Sequence, residues 1–240
     1  MVLTRASVNP LARVHVMTTA HTLEYQRFLP EWLDSVLGLN TTPDTITIGV
    51  TDYRLPTLDI LNELKRRMES RRTPLRVHWL HDVPEHLPAC INQVIDGFAQ
   101  LAPSDWVAKL DADDRACTDW LDGIRETDAD VWSVRMIPVF EGRRLSRGSN
   151  ALGEDACQHI LDSARQGRNL VWSCSPFRRW LWDRNRFANR PGEDWQFWVD
   201  AAAAGARFGN APGAYEYHQH PGQLHRRTTD AQMRATLVIP

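Results

Sequence analysis

Lysine is nearly absent from this 240-residue chain: Lys65 and Lys109 are the only two, and arginine supplies the rest of the 28 basic side chains. A bias of that kind reflects genome composition more than mechanism. Cysteine is scarce too. Cys90, Cys117, Cys157 and Cys174 form no C-x-x-C pair, which argues against a zinc ribbon or a thioredoxin-like dithiol. Scattered cysteines in a chain of this size fit a reducing compartment. No apolar run reaches the length of a membrane span. The opening Met1-Val2-Leu3-Thr4-Arg5 lacks the apolar core of a secretion signal, so a soluble cytoplasmic protein is expected. Low-complexity tracts, internal repeats and linkers are missing, and one domain over 1–240 is expected. The net charge of −2 selects no partner. The charge is uneven, however: ten arginines but only four acids (Glu154, Asp155, Asp162, Asp183) lie between Arg143 and Arg190. That excess either faces an anionic ligand or is a solvated, salt-bridged surface.

What is present is a globular composition, 42% hydrophobic and 24% charged, with a clear alternation of element types. Strand patterns fall at Ala12–Thr18, which alternates, at Thr45–Val50 and Leu75–Leu80, and at Trp106–Leu110, which reads as buried. Helical spacing occupies Leu23–Leu39, Leu58–Ser70 and Pro88–Leu101. Strands alternating with helices imply parallel β-α-β units with right-handed crossovers. The expected fold is therefore α/β, a three-layer α/β/α sandwich with a mostly parallel central sheet. Ligands of such sheets bind beyond the carboxyl ends of the strands, which places Asp52 and Asp111 in one crevice. The second half is less regular. It reads as a helix over Cys117–Glu126, a strand over Asp130–Val139 and a polar loop over Glu141–Asn150. A strand running into an aromatic turn over Leu170–Trp182, a helix over Glu193–Ala204 announced by Pro191-Gly192, and a short strand over Ala206–Ala211 follow.

Asp111-Ala112-Asp113-Asp114 directly follows the fourth strand. Three carboxylates at the end of a core strand are costly to bury unpaired. A divalent cation with oxygen ligands would satisfy them and would suit a diphosphate; an Asp-rich turn or helix N-cap would also use these residue types.

Five segments taken in order resemble the nucleotide-sugar-dependent glycosyltransferases of the GT-A fold, above all their large inverting family two. VHVMTTAH looks like the first strand and donor loop, and TIGVTD ends in Asp52 where that family places a base-binding carboxylate. KLDADD looks like its metal motif, RPGEDWQFWVDAAAAGARFGNAP like its Glu-Asp-Trp helix, and YEYHQHPGQLHR like its closing segment with a metal-facing histidine. The chain departs from the pattern at Thr18-Thr19-Ala20-His21, where Pro-Thr-Tyr-Asn is usual.

The resemblance implies a donor-binding half over about 1–115 and an acceptor-binding half over about 116–240. It implies a nucleoside-diphosphate sugar, with UDP as the leading candidate, and Mn²⁺ or Mg²⁺ as cofactor. Asp113 would contact the metal, and Asp111 the metal, its water or the ribose. Asp52 would accept from a pyrimidine N–H, and Thr18 and Thr19 would lie near base or ribose. Asn92 would face the diphosphate. His220, with His218 as the alternative, would complete an octahedral site and favour Mn²⁺. Asp194, ahead of Glu193, would take the acceptor proton. Each has an ordinary counterpart: a turn aspartate at 52, an exposed helical asparagine at 92, and carboxylates favoured by the helix dipole at 193 and 194. The interleaved Arg178, Arg179, Trp180, Trp182, Arg184 and Arg186 suit a nucleic-acid acceptor or an ordinary strand and turn. Hydroxymethylated bases in DNA and glycans are the acceptors considered. The rivals are a nucleotidyltransferase or metal phosphohydrolase, and a non-catalytic nucleotide-sugar-binding module.

Overall fold

Four short apolar runs become four neighbouring strands in the computed structural model, which describes residues 12–81, 87–98, 100–146, 152–189, 192–220 and 237–239. The first is β1 (Val14–Ala20), buried along its whole length. Two helices follow where the periodicity promised one: α1 (Leu23–Gln26), capped by the Thr22 hydroxyl, and α2 (Leu29–Leu37). Pro30 divides them, because its ring displaces the carbonyl four residues back and it has no N–H to give. Trp32, Leu33 and Val36 of α2 are fully buried, each contributing about 2 kcal/mol of apolar transfer.

Next come β2 (Thr45–Val50), α3 (Leu55–Met68), β3 (Leu75–Trp79), α4 (Leu87–Asp96) and β4 (Trp106–Lys109). β1 pairs in parallel with both β2 and β4, and β2 with β3. Residues of α2 and α3 share a core with one face of these strands; α4 shares a core with the other face, through Met17 and Val107. The helix α4 lies so close on β2 that a Cβ at Gly49 would stand 2.3 Å from Val94 Cγ2. Only glycine fits there.

The second half continues the same sheet with mixed polarity. Its elements are β5 (Arg115–Ala116), β6 (Val131–Phe140), β7 (Arg143–Arg144), α5 (Ala156–Arg165), β8 (Phe177–Arg178), α6 (Arg179–Arg184), α7 (Glu193–Ala203) and β9 (Phe208–Gln219). The sheet order is β3-β2-β1-β4-β8-β6-β9-β5, with β7 hairpinned on β6. β8 is antiparallel to β4 and β6, whereas β6 and β9 are parallel. The α/β layering expected from sequence is present, but the sheet is mixed. The α5, α6 and α7 residues join α4 on its face of the sheet.

Three local expectations fail for visible reasons. Residues 117–126 form consecutive turns instead of a helix, because Gly123 sits at φ 74°, outside the right-handed helical region. The strand expected over Leu170–Trp182 is reduced to two paired residues before α6 begins. The strand near Ala206 extends instead to Gln219, and its partnership with β6 shifts register between Ser133 and Arg135. Of the expected Glu141–Asn150 loop, Glu141 and Gly142 turn the β6–β7 hairpin at positive φ, and 147–150 lie outside the described residues.

Candidate active site at the end of the fourth strand

Sequence order reverses across the sheet between β1 and β4. That switch point leaves a crevice beyond their carboxyl ends. The first turn beyond β4 closes on itself, with the Asp114 N–H donating to the Asp111 carbonyl at 3.0 Å. Leu110 is held from two sides: its N–H donates to the Met17 carbonyl and its carbonyl accepts from Trp32 Nε1. The Asp-rich turn is thereby fixed to β1 and α2.

β9 brings the histidine tail to this turn. The His218 N–H donates to Asp114 Oδ1 at 3.1 Å, and His220 Nε2 stands 2.9 Å from Asp113 Oδ2. The imidazole of His220 lies against Phe28, with ring centroids 5.2 Å apart, and near Tyr25 at 6.2 Å. The His218 ring turns the other way, to Glu216 at 3.0 Å. His225 lies outside the described residues.

Burial and the clustering of carboxylates act on Asp113 and Asp114. Burial pushes the Asp113 carboxyl up, helped by the Asp111 charge and opposed by His220. Asp114 is pushed well up by burial and by Asp113 and Asp111. The nearby Cys174 thiol, 3.8 Å from Asp114 Oδ2 and 4.0 Å from Asp111 Oδ2, is raised well above its ordinary range by burial and by the same acids. Asp111, Asp114 and Cys174 form a group whose potential ligand atoms lie within 4.8 Å of one another. A thiol held protonated is a poor ligand, whereas the Asp113–His220 pair sets a hard carboxylate oxygen beside an imidazole nitrogen. The donor set of Asp111, Asp113 and His220 fits a divalent first-row ion.

Lys109 is the residue that sequence reading passed over. It is buried, and its Nζ donates to Asp111 Oδ1 at 2.5 Å. Burial works to lower its pKa, but the Asp111 carboxylate beside it more than offsets this and keeps it charged. One of only two lysines, set in an otherwise apolar strand two residues before an aspartate, was a readable signal, because i and i+2 share a face. Ser173 was equally silent; its hydroxyl lies 3.5 Å from Asp111 Oδ2.

The second acidic group opens α7. Gly192 precedes it at φ 76°, the left-handed region glycine tolerates. Glu193 and Asp194 follow, partly open to solvent but surrounded by protein on most sides. Burial and the Asp194 charge push Glu193 up to about 8, against the pull of Lys109. Burial also raises Asp194, and Lys109 is its largest opposing influence. Lys109 therefore stands electrostatically between the strand-end acids and the helix-start acids. One consequence is measurable. Glu193 is raised from the ordinary 4.5 to about 8, so its ionisation costs the folded state stability as pH climbs between those values. Glu193→Gln is expected to match the parent protein in thermal stability near pH 4. Near pH 8 it should exceed it by on the order of 2 kcal/mol, discounted for the carboxyl's partial exposure, or roughly 4–8 °C. Equal melting temperatures at both pH values would contradict the burial argument.

The other expected site residues are placed less decisively. Thr18 and Thr19 are buried in β1, and the Thr18 hydroxyl makes no hydrogen bond among the described residues. Asp52 is exposed beyond β2, and its Oδ1 accepts from the Arg54 N–H at 2.7 Å, an Asx turn. Asn92 differs from both roles considered for it. Its Nδ2 donates to the Phe187 carbonyl and its Oδ1 accepts from Trp182 Nε1, each at 2.9 Å. These bonds tie α4 to α6 and to the segment after it, and they compete with any contact to a diphosphate.

Part of the arginine–tryptophan interleave is turned inward, at Arg178 and Trp182. Arg178 is buried, donates to the carbonyls of Ala129, Ser104 and Thr127, and stacks 3.9 Å over Trp106. Arg179 and Arg186 flank the buried Trp182, and they pair with Asp183 and Asp96. Arg178 is registered against Trp106, the first residue of β4. That is roughly 16 Å of strand from Asp111. Arg178 is thus part of a structural girdle at the far end of the strand and lends no support to a nucleic-acid surface beside the acids, whereas Arg184 and Arg186 stay exposed.

No family model and no curated protein matches this sequence. Solved structures do resemble it. The S. aureus TarS 1–349 structure in complex with UDP-GlcNAc superposes with a TM-score of 0.66 at 18% identity, covering 90% of this chain and 61% of that one. The Pyrobaculum calidifontis mannosyltransferase PcManGT, in complex with GDP-Man and Mn²⁺, gives 0.60 at 13% identity, over 92% of this chain and 61% of that one. Glucosyl-3-phosphoglycerate synthase from Mycobacterium tuberculosis, with Mn²⁺, UDP and glucosyl-3-phosphoglycerate, gives 0.59 at 13% identity, over 94% and 78%. The chain thus spans about three fifths of the length of the TarS structures it matches. Its layered sheet, its switch-point crevice and these superpositions together show that the chain has the GT-A fold.

Proposed function

We propose that the protein is a metal-dependent inverting glycosyltransferase. It would move a sugar from a nucleoside-diphosphate donor, with UDP-sugars first in line, to an acceptor hydroxyl. The observation that carries this reading is the convergence at the switch point: Asp111 and Asp113 after β4, His220 after β9, and Glu193-Asp194 at the start of α7, with Lys109 between the two acidic groups. Asp111, Asp113 and His220 would hold the divalent ion. The chemistry such an ion would supply there is neutralisation of the charge growing on the leaving diphosphate. Glu193, raised to about 8, keeps its proton at neutral pH and leaves Asp194 the member of the pair able to accept one. Asp194 takes the proton of the acceptor hydroxyl as it attacks the anomeric carbon. One base and one displacement give inversion. Asp52 accepts from the base, and Thr18 and Thr19 border it. Residues 1–240 act as one domain, with donor contacts in the first half and acceptor contacts in the second.

None of the described helices is long and apolar enough to cross a membrane, and all four cysteines are unpaired, in keeping with the cytoplasm. Glycans and hydroxymethylated bases in DNA both present a suitable hydroxyl.

The direct test incubates the protein and Mn²⁺ with a panel of nucleotide sugars, with and without glycans and modified duplex DNA. Free nucleoside diphosphate, released from one donor and stimulated by one acceptor class, is the expected result. Monophosphate or pyrophosphate would instead indicate attack at phosphorus, as in a phosphohydrolase or nucleotidyltransferase. Donor binding without turnover in any arm would indicate a binding module.

A further inference from the structure

At the amino ends of the parallel strands, away from the acids, the sheet opens onto a second cavity of about 370 Å³. Its lining includes Arg13 and His15 at the start of β1, Thr45 of β2, Arg76 of β3, and Phe98 and Gln100 from the segment after α4. A sheet covered on both faces is normally apolar inside. Here it is not. His15 is registered with Thr45, and Met17 with Thr47, which in turn faces Arg76. Paired residues share a face, and Met17 faces the core that contains α4. A polar strip therefore crosses three strands on that side, just where α4 ends.

His15 is 3% exposed. Its Nε2 is 3.6 Å from Asp105 Oδ2, too long for a full hydrogen bond, and neither ring nitrogen makes one among the described residues. Asp105 has no need of it. That carboxylate already accepts from the Arg13 N–H, Nε and Nη2 and from the Ala102 N–H. The Thr47 hydroxyl is buried without a partner on the same strip. Buried unpaired polar groups cost about 1–3 kcal/mol each, and native folds keep few without something to satisfy them. Arg13 is neutralised by Asp105, whereas Arg76 is exposed and forms no ion pair among the described residues. The cavity lining therefore includes one arginine without an ion pair among the described residues and one imidazole that Asp105 reaches only at 3.6 Å.

We propose that this cavity is a second ligand site, for a small polar molecule bearing a phosphate or carboxylate. Arg76 pairs with the anionic group and His15 hydrogen-bonds the molecule from the cavity floor. The volume is at the small end for ligand sites and suits a molecule of roughly sugar-phosphate bulk. β1 carries His15 at this cavity and ends at Ala20 on the crevice side, but the site is independent of the sugar-transfer reading.

Calorimetry would use inorganic phosphate, glucose 1-phosphate and succinate as probes, on the full chain and on Arg76→Ala, Asp113→Asn and His15→Gln. At least one probe should bind, the phosphate and carboxylate arms naming the preferred group. Arg76→Ala, a change at an exposed residue that leaves the fold intact, should weaken binding about tenfold or more, whereas Asp113→Asn should not. The His15 imidazole nitrogen resonances should move on saturation, and His15→Gln should weaken the same binding. No binding by any probe up to about 10 mM, binding unaffected by Arg76→Ala, or binding lost with Asp113→Asn would each overturn the proposal.

Discussion

Asp113→Asn is expected to lower kcat/KM for sugar transfer by about three orders of magnitude, or about 4 kcal/mol of transition-state stabilisation. Asparagine keeps the size of the side chain and can still meet His220, but it removes the charge that makes this oxygen a ligand. Calorimetric Mn²⁺ affinity should fall in parallel, by roughly tenfold to a hundredfold. Thermal stability should not fall. Asp113 is a buried carboxyl raised by its surroundings, so ionising it already costs the fold something at neutral pH, and a neutral isostere removes that cost. Lost activity with unchanged or higher melting temperature therefore separates a site effect from misfolding. Cys174→Ser distinguishes the two ligand sets. If Asp113 and His220 hold the ion, it should leave Mn²⁺ affinity within about threefold; if Cys174 is the ligand beside Asp114, Cys174→Ser should be the more damaging change. Full activity in Asp113→Asn would remove the basis for the functional reading.

The legible parts of this fold were those where one physical signal dominated. β1 to β4 each combine a short apolar run with a helix-length return, so their parallel pairing follows from spacing alone. The break at Pro30 was masked by Phe28, Trp32 and Leu33, whose helical spacing continues across it. The turns at 117–126 carry Trp120, Leu121 and Ile124, a helix-like set of buried residues. A single left-handed glycine decides against the helix, and periodicity does not register a φ angle. The helix α5 was legible but not read: Ala156, Ile160, Ser163 and Ala164 form one buried face at helical spacing, with polar residues between them. The site divides in the same way. Three aspartates after a core strand announce themselves by burial cost. The contact from His220 to Asp113 spans 107 residues and exists only because β9 runs parallel to β6 far beyond its expected end. Resemblance reached it, and composition could not. The Arg–Trp segment misled for the opposite reason. Cation–aromatic alternation is equally the pattern of a surface platform and of an internal girdle, and only the register of Arg178 on Trp106 tells them apart.

Asp194→Asn should separate chemistry from binding. Turnover is expected to fall by about a thousandfold, within the range that a positioned general base supplies, while calorimetric affinity for the nucleoside diphosphate stays within about twofold. The reasoning is geometric. Glu193-Asp194 belongs to α7, and the proposed metal ligands belong to the β4 turn and the end of β9, so a change at residue 194 leaves the Asp113–His220 pair in place. Its electrostatic link to them runs through Lys109, which opposes the rise of both helix-start carboxyls. Glu193→Gln should cost less turnover than Asp194→Asn, because Glu193 already carries a proton at neutral pH. The rate of the parent protein should rise with pH as the pair loses protons and then level off, and Asp194→Asn should flatten that limb. If attack were instead at phosphorus, the damage would fall on the strand-end acids, and Asp194→Asn would retain most of its turnover. If the protein only binds its donor, Asp194→Asn would change nothing, since there would be no rate to lose. The three readings therefore part at one side chain whose substitution adds no volume and leaves its neighbours' hydrogen bonds nearly intact.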